Sequence, residues 1–199
     1  MEISALVPIY SSCGQLKHER MDKYQELTKL GKDKYLQKVK SINWHDSDET
    51  ILQAIIESIN ETSDDSYLVY ALGVLGFDGE GFESASDYEN ILNEINELLK
   101  DQKLNVNVEN QSGLLKIELK KNKTNVYEID IEETGGWISE GFMEFINRTL
   151  KDEGFEEQFY ALPPSDQTVD FIFSTEEKYK KAIDEGFIPE EMGYFFENR

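Results

Sequence analysis

Between Leu104 and Ile131 the apolar side chains fall at every second position. Leu104, Val106 and Val108 form one set, Leu115, Ile117 and Leu119 a second, and Tyr127, Ile129 and Ile131 a third. A period of two marks strands with one face buried. Asn110-Gln111-Ser112-Gly113 and Lys121-Asn122-Lys123-Thr124 separate the sets as turns, so the segment predicts an antiparallel meander.

The period lengthens on either side. Ile91, Leu92, Ile95, Leu98 and Leu99 mark an amphipathic helix, with Ser86 and Glu89 as its capping box. Ile138, Phe142, Phe145, Ile146 and Leu150 mark another, stopped by Gly154. Strands near Glu156–Leu162 and Thr168–Phe173 follow, joined by a turn at Pro163-Pro164-Ser165-Asp166. A last helix has Ser174 as its cap, Glu177 as the box partner and Gly186 as its stop. From Ser86 the order is therefore α-β-β-β-α-β-β-α. It predicts an α+β fold with one antiparallel sheet of about five strands and helices on one face.

The part before Ser86 reads as mainly helical. An arm or short strand (Ile3 to Ile9) precedes good helix formers from Leu16 to Val39, which Gly31 divides. Asp46 and Glu49 suit a capping box for a helix with Ile51, Leu52, Ile55, Ile56 and Ile59 on one face. The apolar run from Tyr67 to Leu75 fits a buried helix or a buried strand. Asp64 and Asp65 before it, and few β-branched residues within it, favour helix. The division expected is a helical region, 1–85, and an α+β domain, 86–199, or one continuous fold.

Charge changes this picture most. The 199 residues hold 20 Lys and Arg against 41 Asp and Glu, a net charge of −21. Residues 1–45 are slightly basic, with eight Lys or Arg and five acids. From Ser41 to Leu99 there is no Lys or Arg and there are fourteen acids. Such a field repels nucleic-acid phosphates and anionic lipid, and attracts basic proteins. The α-β-β-β-α order resembles that of double-stranded-RNA-binding domains. Those present lysines at the start of the second helix, where this chain reads WISEGFMEF with Glu140 and Glu144. Direct nucleic-acid binding is not expected.

Motifs for catalysis are missing. There is no GxSxG and no HExxH. Cys13 is the one cysteine, which excludes an intrachain disulfide and a thiolate zinc cluster and fits a cytoplasmic protein. No apolar run reaches the roughly 18–20 residues of a membrane span, and no secretory signal opens the chain. His45 beside Asp46 offers an imidazole next to a carboxylate, without a nucleophile motif. GFDGEGFE has acids and glycines, but Phe82 stands where a calcium loop needs an oxygen ligand. Its acids would also repel a phosphate. It reads as a turn leading into a helix cap. No cofactor, metal or catalytic residue is expected.

Two function classes remain. The first is a non-enzymatic acidic cytoplasmic protein that engages a basic protein partner. Bacterial immunity proteins that neutralise toxins, and nucleic-acid mimics that occupy basic grooves, have this profile. Asp46, Asp48, Glu49, Asp64, Asp65, Asp78, Glu80 and Glu83 are its expected contact acids. Trp137, in Glu132–Phe142, is its expected aromatic anchor. The alternatives are a metal-dependent hydrolase using carboxylates alone, and a regulatory protein.

Overall fold

The computed structural model describes residues 23–24, 26–45, 53, 57, 65–111, 113–121, 125–132, 136–162 and 167–188. Along the chain come helix α1 (Lys32–Ser41), a 3-10 helix (Asp65–Leu72), and strands β1 (Val74–Asp78) and β2 (Glu80–Phe82). Helix α2 (Ala85–Leu98) precedes β3 (Asn105–Gln111), β4 (Leu114–Lys120), β5 (Val126–Glu132) and β6 (Gly136–Trp137). Helix α3 (Glu140–Asp152), β7 (Glu157–Ala161), β8 (Thr168–Thr175) and α4 (Glu176–Asp184) complete it. The fold is α+β with helices towards the N-terminus.

Contacts group the described residues into two compact units. One holds those up to Leu72 and from Glu177 onward; the other runs from Gly73 to Glu176. Strands β1 and β2, which precede Ser86, thus belong with the sheets.

In the first unit Gly31, at φ +80°, breaks the helical stretch and starts α1. Lys38 and Lys40 in the last turn of α1 complement its dipole. Tyr35, Leu36 and Val39 form its buried face. The Tyr35 ring meets Phe187 edge-on at 5.5 Å, and its hydroxyl donates to the Phe187 carbonyl at 3.3 Å. Burial raises the Tyr35 phenol well above its ordinary pKa. Helix α4 ends as expected at Gly186, φ +80°. Phe187 N–H donates to the Ala182 carbonyl and Gly186 N–H to that of Ile183, which is a Schellman closure.

The second unit holds the main core. β4 buries Leu115, Ile117 and Leu119, alternating as its sequence predicts. Tyr88, Ile91, Leu92 and Ile95 from α2, and Phe142, Phe145, Ile146 and Leu150 from α3, join them. Gly154 closes α3 with the same Schellman pattern, Phe155 N–H to Leu150 and Gly154 N–H to Lys151.

All five expected strands are present, but their pairing differs from a single sheet. β3-β4-β5 form one three-stranded antiparallel sheet. β7 and β8 instead pair with β1 in the order β1-β8-β7, and β2 pairs with β6. Of the three extra strands, β1 starts in the apolar run from Tyr67 to Leu75. That run is helical only to Leu72, and Gly73 at φ +75° then turns it into β1. Gly76 faces Asp170 in the β1–β8 register, and a Cβ there would lie 2.2 Å from Asp170 Oδ1. The glycine makes room for a carboxylate that is only 5% exposed.

Two helix caps also differ from the expected ones. α2 is capped by Ser84 and Asp87 rather than Ser86 and Glu89. Asp87 Oδ2 accepts from the Ser84 hydroxyl at 2.7 Å, Ser84 N–H at 2.8 Å and Glu83 N–H at 3.1 Å. The Ser84 hydroxyl bond, helped by these backbone donors, lowers the Asp87 pKa. Ser174 is a buried residue of β8, and α4 begins two residues later.

One device occurs twice. In α2 the Asn96 amide donates to the Leu104 carbonyl at 2.9 Å and accepts from Leu104 N–H at 2.8 Å. In α3 Asn147 does the same to Phe159, at 2.9 and 2.8 Å. Each side-chain amide stands in for a neighbouring strand's peptide group. Each lies in the helix before a hairpin, and each fixes that helix to the hairpin's first strand or the residue leading into it.

Candidate functional site

The expected contact residues divide sharply. Asp46, Asp48, Glu49 and Asp64 lie outside the described residues, as do Cys13 and the strand read at Ile3 to Ile9. Asp65 opens the 3-10 helix. Glu80 and Trp137 meet on one small ladder, with Asp78 just before its first strand and Glu83 just after it.

That ladder is β2 against β6. Glu80 stands opposite Trp137 and Phe82 opposite Gly136, with an irregularity at Gly81 between them. Gly79 joins β1 to β2. Its N–H donates to the Gln167 carbonyl at 2.8 Å, and its carbonyl accepts from Ile138 N–H at 2.9 Å. A Cβ on Gly79 would lie 2.9 Å from Val169 Cγ2, 3.0 Å from the Gln167 carbonyl and 3.7 Å from Trp137 Cζ3. The absent side chain is what lets Val169 and the Gln167 carbonyl close over this corner, while the indole would still fit at ordinary contact distance. Asp78 Oδ1 accepts from Glu80 N–H at 2.9 Å and fixes the bend. Glu83 lies against Gly136, since a Cβ there would be 3.8 Å from Glu83 Cγ and Oε1.

The ladder has a dry underside and a charged outside. Phe82 is buried, with its ring 4.9 Å from Tyr88 and 5.7 Å from Phe77. Tyr88 also accepts from Ser139 N–H at 3.2 Å, tying the end of β6 to α2. Asp78 and Glu83 are exposed and Glu80 is half-buried. Among the described residues none of the three forms an ion pair with a lysine or arginine. Trp137 is 46% exposed, the highest value among the large apolar side chains described. Carboxylates beside an exposed indole suit a guanidinium or ammonium group. The acids attract it over distance, and the ring face receives it in contact.

The other expected features fall into structural roles. Trp44 is buried, and its indole N–H donates to the Leu72 carbonyl at 2.7 Å. His45 Nε2 lies 2.7 Å from the Ala71 carbonyl, so that nitrogen carries the proton. The would-be calcium loop is divided between β1 and β2, with Phe82 buried in the core. Among the described residues no three His, Cys, Asp or Glu side chains converge as metal ligands. No described helix is long and apolar enough to cross a membrane.

One polar cluster was not foreseen. Glu153, at the end of α3, has a side chain only 5% exposed. Its Oε1 accepts from Tyr127 Oη and Asn125 Nδ2, both at 2.8 Å. Lys121 Nζ is 3.8 Å from Oε2, donates to the Glu153 carbonyl and to Gln102 Oε1 at 3.2 Å each, and sits over the Phe155 ring. Burial works against the charged carboxylate. The Asn125 and Tyr127 bonds and the lysine outweigh it and hold the Glu153 pKa below its ordinary value. Every one of these groups serves another, so the cluster stitches the β4–β5 turn to α3. The spacing of Lys121, Asn125, Tyr127 and Glu153 in sequence carries no signal for it.

Fold and surface together define an acidic α+β protein with an aromatic-anchored anionic corner. Compared with protein-family models, curated proteins and solved structures, the chain matches none.

Proposed function

We propose that this is a non-enzymatic, acidic cytoplasmic protein that binds a basic protein partner, as a toxin neutraliser or a nucleic-acid mimic does. The observation that carries this reading is Glu80 opposite exposed Trp137 on the β2–β6 ladder, with Asp78 and Glu83 flanking β2 in sequence. The acids and the tryptophan are more than fifty residues apart in sequence. The fold spends two short strands and Gly79 to join them at a surface. The surrounding stretch without Lys or Arg, 41–99, extends the same field. Its role is steering, while the indole provides short-range contact.

The test is capture of partners from bacterial cytoplasm by the tagged protein at low and high salt. A basic partner in fixed stoichiometry, weakened by salt, is expected. Trp137→Ala should reduce its affinity about 30-fold, the scale of an aromatic hot spot. Asp78→Asn, Glu80→Gln and Glu83→Gln together should lower the association rate and flatten its salt dependence. Capture that neither set of substitutions changes would remove this corner from the reading. Absence of any basic partner at both salts would remove the reading itself.

A further inference from the structure

The three-stranded sheet β3-β4-β5 has two outer edges, and they are not treated alike. At the entry to β3, Asn96 occupies the backbone of Leu104. In the other sheet Asn147 covers the outer edge of β7 at Phe159. β5 ends its sheet with no such clasp and no further strand among the described residues.

The register shows which β5 groups face outward. A two-residue turn closes the β3–β4 hairpin, with Gln111 opposite Leu114. The closing pair of such a hairpin is hydrogen-bonded, and bonded pairs alternate from there. Leu114, Lys116, Glu118 and Lys120 therefore bond to β3. Leu115, Ile117 and Leu119 bond to β5, at Ile131, Ile129 and Tyr127. The peptide groups of Val126, Glu128, Asp130 and Glu132 are left on the open side. All four residues are exposed.

Three of those four are acids. Lys116 Nζ pairs with Glu128 at 3.0 Å and stands opposite Asp130 in the register, so one lysine faces three acids, and Glu132 has no ion pair among the described residues. Pairing this edge with β5 of a second copy would place carboxylates beside carboxylates, which is destabilising. A strand bearing lysine or arginine at alternate positions meets the opposite condition. The edge also leads toward the anionic corner: Glu132 and Gly136 are four residues apart, at most about 14 Å of extended chain.

We infer that β5 is the docking edge for an extended, basic segment of the partner, which adds as a fourth antiparallel or parallel strand. Its backbone bonds the outward peptide groups of Glu128, Asp130 and Glu132, and its alternate cationic side chains lie over their carboxylates. This inference rests on the basic-partner reading above and specifies how such a partner is held.

The experiment uses the full chain and a capped nine-residue peptide of alternating lysine and valine, with a glutamate–valine peptide as control. Amide hydrogen exchange is followed by NMR at peptide saturation in low salt. The amides of Glu128, Asp130 and Glu132 should slow about 10-fold or more, consistent with new backbone hydrogen bonds. The acidic peptide should not bind. Asp130→Pro removes an outward N–H without touching the β4 ladder, a position where edge strands accept proline. It should weaken the lysine peptide about 10-fold, and Asp130→Asn much less. Retained protection of Tyr127, Ile129 and Ile131 certifies the fold of the proline variant, and the wild-type exchange data stand without it. If the peptide binds but protects no β5 amide, or binds the proline variant as well as Asp130→Asn, the edge inference falls while the basic-partner reading stands. If it does not bind at all, the edge inference falls too, and partner capture decides the broader reading separately.

Discussion

Replacing Asn147 with alanine tests whether a single side-chain amide holds α3 to the edge of β7. The two bonds it makes with Phe159, at 2.8 and 2.9 Å, both go to the backbone of a residue whose side chain is 1% exposed. Two ordinary hydrogen bonds contribute about 1–3 kcal/mol net. A buried donor or acceptor left without a partner costs about 1–3 kcal/mol each. Asn147 is half-buried, so water reaches the vacated site in part. The expected loss is therefore about 2–3 kcal/mol, between the solvated and the dry limits. Asn147→Asp should recover little. One carboxylate oxygen still accepts from Phe159 N–H, but the other faces the Phe159 carbonyl with no proton to offer. Urea unfolding gives the global change, and amide exchange at Phe159 gives the local one. A loss below about 0.5 kcal/mol, or full recovery by aspartate, would refute the account of the amide as a strand surrogate.

The remaining predictions concern close approach and pH. Gly76→Ala should destabilise the protein by about 1–3 kcal/mol, because its Cβ would meet Asp170 Oδ1 at 2.2 Å. Thermal unfolding in an Asp170→Ser background should show a smaller penalty if the carboxylate is the obstacle. Ile117→Ala, at a fully buried position of β4, should cost about 2–5 kcal/mol in urea unfolding. Glu153 has a folded-state pKa below that of the unfolded chain. Its stabilisation is thus complete above the ordinary glutamate value, about 4.3, and is lost as pH falls through the lower folded value. Urea midpoints between neutral and acid pH should therefore fall less steeply in Glu153→Gln than in the parent chain. An unchanged slope would place the acid sensitivity elsewhere.

Much of the fold is legible in local pattern. The alternation of Leu115, Ile117 and Leu119 fixes β4, and Gly31, Gly154 and Gly186 fix helix boundaries because each adopts positive φ. What escapes local reading is pairing over distance. β1 is short and ends a helical apolar run, and nothing near it announces that Leu75 will stand opposite Phe171. Ser84 with Asp87 and Ser86 with Glu89 have the same three-residue spacing, so spacing alone could not choose the cap. Of the proposed contact surface, the acids and Trp137 were each readable as residue types. Their meeting also involves Gly79, whose missing side chain admits Val169 and the Gln167 carbonyl at the same corner. A lone asparagine inside a helical pattern gives no sign of the strand it will clasp.

The distribution of edges and charges favours one ordering of causes. If the acids served solubility alone, any even scatter over the surface would suffice. Here three lysines of β4 and the residue after it lie beside carboxylates, Lys116 with Glu128, Lys120 with Glu118 and Lys121 with Glu153. Asp78, Glu80, Glu83 and Glu132 have no such counterpart among the described residues, while Asp130 stands opposite Lys116 in the register without closing an ion pair. Paired charges therefore sit within the sheet and just after β4, while the acids of the indole corner belong to the larger set without an ion pair among the described residues, as Glu89, Glu94, Asp101 and Asp152 also do. Neutralising the two groups should then have separable effects. Removing Lys121 should alter unfolding with little change in partner affinity, and removing the acids of the indole corner should do the reverse. Urea midpoints and salt-dependent binding measured on the same variants distinguish this from uniform solubilisation, under which neither group would be selective.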